Sequence, residues 1–79
     1  MRREYDWLAA GQRIRLARLG LGITEKEAAD AYGVSLPTFR RYEKGDRQRG
    51  CGFVDFAEKF DVPLIWLITG KGAWPSPYH

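Results

Sequence analysis

The 79 residues suffice for one domain with a small core of its own and are too few to add a deep catalytic cleft. With 44% hydrophobic and 29% charged residues the chain is not of the disordered class, its single cysteine, Cys51, excludes an internal disulfide, and no run approaches the ~18 apolar residues of a membrane span. Arg40, Arg41, Lys44, Arg47 and Arg49 against Glu43 and Asp46 account for the whole net charge of +3 and leave eight basic and eight acidic residues elsewhere, a neutral body with one basic edge.

Five short helices are predicted, and the fold class expected is all-α. The first spans about Tyr5 to Leu19, with Leu8, Ile14, Ala17 and Leu21 near one side; Gly11 weakens it locally, and the Gly20/Gly22 pair ends it. Thr24 with Glu27 three residues on forms a capping box, which starts a second helix at Glu25 that runs to Tyr32 and stops at Gly33. Ser35 caps a third, Leu36 to about Glu43, and Pro37 is tolerated because the first helical turn has no internal partner for its missing N–H. Gly45 ends that helix, and DRQRGCG is a loop. Phe53, Phe56, Ala57 and Phe60 have the spacing of a fourth helix with one buried face. Pro63 starts a fifth, LIWLIT, which Gly70 ends, and KGAWPSPYH is a non-helical tail. The domain is thus expected over 1–72, with 73–79 a tail packed on it or extending from it.

Glu25 to Tyr42 has the spacing of a helix-turn-helix: small Ala29 where two helices cross, Gly33 at the turn, and apolar Ala28, Tyr32, Val34, Phe39 and Tyr42 as anchors. Together with GQRIRLAR (11–18), ITEKEAADAYGVS (23–35), TFRRYEKG (38–45) and WLITGKG (66–72), this resembles the Xre/Cro repressor family, over residues 11–72. The resemblance implies a five-helix DNA-binding domain of a bacterial or phage transcription regulator, commonly a homodimer on a palindromic double-stranded site. It places Ser35, Leu36, Pro37, Arg40 and Arg41 on the base-facing side of the third helix. It places Thr24, Glu25, Thr38, Lys44, Arg47 and Arg49 toward the DNA backbone, and pairs Arg18 with Glu43 as a structural ion pair.

Three departures stand out. Glu25 replaces a glutamine and repels a phosphate where an amide would donate, although a negative charge also favours a first helical turn. Leu36 and Pro37 cannot hydrogen-bond base edges through their side chains, so reading falls to Arg40 and Arg41 with methyl contacts, unless both arginines bind phosphate. Leu16 and Leu19, with Leu8 and Gln12, form a second apolar strip that needs a cover: the tail aromatics Trp74 and Tyr78, a twin subunit or another protein. Ile65 and Trp66 are the other seat for a protein partner, with core packing the simpler role for both.

The function expected is a sequence-specific transcriptional regulator, a repressor, in the cytoplasm. The alternative is a protein-interaction module, or an antitoxin or phage regulator, on the same scaffold with weak or no DNA reading. No cofactor or metal site is expected and no enzymatic activity: the single histidine, His79, is terminal, and no nucleophile, base and acid are assembled.

Overall fold

Asp6 opens the first helix: its side chain accepts a hydrogen bond from the Ala9 backbone N–H at 3.0 Å, and α1 runs Trp7–Leu21. The computed structural model describes residues 6–72 and 74, so Tyr5, Tyr78 and His79 lie outside the described residues. The helix passes through Gly20 rather than ending at Leu19, because the left-handed residue is Gly22 (φ 71°). Its N–H donates to the Leu19 carbonyl and that of Ile23 to the Arg18 carbonyl, both at 3.2 Å, closing the last turn as a Schellman motif.

Next comes α2, Glu25–Tyr32, begun by the complete Thr24/Glu27 capping box and ended at Gly33 (φ 74°). Helix α3 is Leu36–Glu43, capped by the Ser35 hydroxyl, with Pro37 in its first turn. After the loop, α4 spans Gly52–Phe60 and α5 Leu64–Thr69; Pro63 is the residue before α5 rather than its first. Asp61 (φ 56°) ends α4 in the left-handed region, where a short polar side chain is tolerated, and turns Val62 into the core. The described residues contain no strand, and none of their helices is long and apolar enough to cross a membrane.

Helix α2 packs against α3 and α4, α1 against α3 and α5, and α4 against α5. Ile14, Phe39 and Phe56 are the largest fully buried side chains. Tyr32, the last residue of α2, is the hub: its ring centroid lies 5.5 Å from Phe39, 5.9 Å from Tyr42 and 5.4 Å from Phe56. On α1 the buried face is Ala10, Ile14 and Ala17. Leu8, expected on that face, is exposed: it is two residues before Ala10, ~200° of rotation away. Leu21 is in line with the buried residues but ends the helix and is exposed as well.

Gly11 is a crossing point rather than a mere weakness. A Cβ there would collide with the Tyr42 carbonyl oxygen and come within 2.8 Å of the Glu43 carbonyl oxygen, so α1 lies directly on the end of α3. Gly52 does the same for α4, where a Cβ would be 2.7 Å from the Tyr32 ring and carbonyl oxygen. Backbone approach at these two glycines fixes how α1 and α4 sit on the α2–α3 pair.

Candidate nucleic-acid interface

Helix α3 turns Phe39, Tyr42 and Glu43 inward and leaves Pro37, Arg40, Arg41 and Lys44 exposed at i, i+3, i+4 and i+7, one strip of the helix. Of the residues expected to face bases, Ser35, Pro37, Arg40 and Arg41 are exposed. Leu36 is different: it is partly buried and packs against the core, so it anchors the start of the helix and presents only part of its surface. Ser35 Oγ accepts from the Thr38 N–H at 3.3 Å and donates to Thr38 Oγ1 at 2.9 Å, which engages both side chains in capping.

Both arginines of the strip meet carboxylates. Arg40 Nε donates to Glu25 Oε1 at 3.2 Å, and its Nη2 is 3.2 Å from the same oxygen. That contact joins the exposed face of α3 to the first turn of α2, where the capping box engages Thr24 and Glu27 but not the N–H groups of Glu25 and Lys26. Arg41 Nε is 3.3 Å from Asp46 Oδ2, across the end of α3. All four side chains keep a third or more of their surface in water, so these pairs contribute little to folding stability.

Arg47 and Arg49 are exposed on the loop after α3, and two tyrosines pin that loop from inside. The Tyr32 hydroxyl donates to Gln48 Oε1 at 3.1 Å, and the Arg49 N–H donates to the Tyr42 hydroxyl at 3.3 Å. Gln48 is buried, so its two arginine neighbours project outward from a fixed point. Gln48 is not among the residues that the motif spacing marks for this surface. A usable signal exists: buried tyrosine rings need partners for their hydroxyls, and Gln48 is the uncharged polar residue beside them in the loop.

Behind this surface, Arg18 Nε donates to Glu43 Oε2 at 2.8 Å, tying α1 to the last turn of α3. Arg13, likewise unmarked, donates from Nε to the Leu67 carbonyl at 2.8 Å and from Nη2 to the Ile68 carbonyl at 2.6 Å. It thereby caps the C-terminal end of α5, where a cation is favoured by the helix dipole.

The second apolar strip is real and uncovered among the described residues: Leu8, Leu16 and Leu19 are 58, 60 and 55% exposed. Trp74 does not cover it. Its ring packs against Trp66, itself part of the core, with centroids 5.1 Å apart and planes tilted by 44°, and its edge approaches Gly20. Ile65 is exposed, so the two residues named as the other partner seat divide between core and surface. No family model matches the chain, and no curated protein or solved structure matches it, so a functional reading rests on the residues themselves.

Proposed function

We propose that the chain is a sequence-specific DNA-binding transcriptional regulator, a repressor acting by occupancy. In this reading α2 and α3 form a helix-turn-helix, α3 enters the major groove, and Thr24, Thr38, Lys44, Arg47 and Arg49 hold the DNA backbone. The observation that carries it is the Arg40–Glu25 contact, because it joins the basic strip of α3 and the unengaged N–H groups at the start of α2 in one surface. Such N–H groups suit a phosphate, and the pinned loop adds two more cations.

Selection of bound sites from a random DNA pool tests the reading, and an enriched palindrome is the expected outcome. Arg40→Ala and Arg41→Ala should then relax sequence preference, whereas Arg47→Ala should weaken binding to all sequences alike and reduce the slope of log K against log salt by about one. No enrichment at low salt would favour a second reading, a protein-interaction module on the same scaffold. The exposed leucines of α1 favour that reading.

A further inference from the structure

We infer that Glu25 is a specificity-determining residue: it positions Arg40 to read a base and withdraws it from general attraction to phosphate, an inference that rests on the DNA-binding reading above. A guanidinium has five N–H donors in a planar fork, one on Nε and two on each Nη. Glu25 Oε1 lies 3.2 Å from both Nε and Nη2 of Arg40, so it occupies the side edge of the fork. The end edge, one Nη1 hydrogen and the second Nη2 hydrogen, remains for a ligand. Two parallel donors on that edge match the O6 and N7 acceptors of guanine, the commonest specific contact of an arginine.

Charge works in the same direction. A lone arginine on a helix surface has rotamer freedom to lose and finds phosphates as readily as bases. Paired with Glu25, Arg40 is half-exposed and electrically neutral at a distance, so long-range attraction to phosphate is cancelled while short-range hydrogen bonding survives. Glu25 is the first residue of α2, whose capping box and contact with α3 hold its backbone still. The pair is too exposed to serve folding, which leaves its effect to be felt on the surface where it stands.

The experiment compares dissociation constants for the selected site and a scrambled site, for the parent chain and for Glu25→Ala, Glu25→Gln, Arg40→Ala and the double variant Glu25→Ala/Arg40→Ala. Glu25→Ala should tighten binding to the scrambled site and lower the ratio between the two sites about fivefold, the most that an exposed pair of ~1 kcal/mol can hold. Glu25→Gln should give a ratio between those of the parent and Glu25→Ala, because its amide oxygen still accepts from Arg40 while the charge that offsets the guanidinium is gone. In the Arg40→Ala background, removing Glu25 should leave the ratio unchanged. The inference is overturned if Glu25→Ala tightens both sites by one factor, which would make the carboxylate a repulsive charge and nothing more, or if it lowers the ratio equally without Arg40. A parent chain that does not discriminate between the sites would overturn the DNA-binding reading along with it, so the two failures are distinguishable.

Discussion

Arg18 and Glu43 meet between α1 and α3 with side chains only 11 and 5% exposed, so neither charge can fall back on water. Removing one partner of a buried pair strands the other at a cost of ~3–5 kcal/mol. A domain of this length has a total stability of the order of ~4–12 kcal/mol. Arg18→Ala should therefore lower the urea midpoint steeply, and the double change Arg18→Met with Glu43→Leu should recover most of the loss, because two apolar side chains leave no charge stranded. If Arg18→Ala melted like the parent chain, the pair would be no stronger than an exposed one. At this scale legibility depended on whether a residue's partner could be named from the chain. Arg18 and Glu43 came as a pair through the family resemblance. Gln48 is marked only by the need of a tyrosine hydroxyl 16 residues away for a partner, and Arg13, whose partners are 54 and 55 residues away, by no local pattern at all.

Helix boundaries were readable wherever the signal is chemical and local: the Thr24/Glu27 box, Ser35 as a cap, Gly33 as a stop. The inner face of α1 was not, because that helix carries leucines on both sides and only its neighbours decide which side is covered. Gly11 makes the same point and allows a test within one helix. Alanine gains ~0.5–1 kcal/mol over glycine in a helix interior. At Gly20 an added Cβ would meet nothing nearer than the Trp74 ring at 3.8 Å, so Gly20→Ala should raise the melting temperature. At Gly11 the Cβ meets the backbone carbonyls of Tyr42 and Glu43, which cannot rotate away, and overpacking of ~1–3 kcal/mol outweighs the gain. Gly11→Ala should lower the melting temperature, and equal shifts at the two positions would mean that α1 does not press on α3. Helix α5 supplies the complementary case. With six residues and no side-chain cap at its start it depends on Arg13, so Arg13→Ala should speed amide exchange over residues 64–69 before the rest of the chain responds.

Two copies of the chain on a palindrome would have their α3 helices ~34 Å apart, one turn of DNA. The molecule measures 40 × 30 × 18 Å, so copies aligned along either longer dimension at that spacing would have at most an edge to share. Contacts burying less than ~1,000 Å² hold weakly in free solution. The leucine strip of α1 suits such an edge: Leu8 lies against Gly45 at the end of α3, and Leu16 and Leu19 continue away from it along the helix. The expected behaviour is a monomer at micromolar concentration that binds the two half-sites cooperatively, because DNA supplies the local concentration that the small contact lacks. Leu16→Gln with Leu19→Gln changes exposed positions without adding charge to the DNA side. It should leave folding and affinity for a single half-site as they were and reduce the cooperativity, measured by titrating one-site and two-site duplexes. Cooperativity that survives this change but disappears with Ile65→Gln would move the contact to α5, whose Ile65 is the exposed large hydrophobic residue outside α1 among the described residues. Survival through both would leave the leucines without a role in pairing and favour a different protein as the cover for α1.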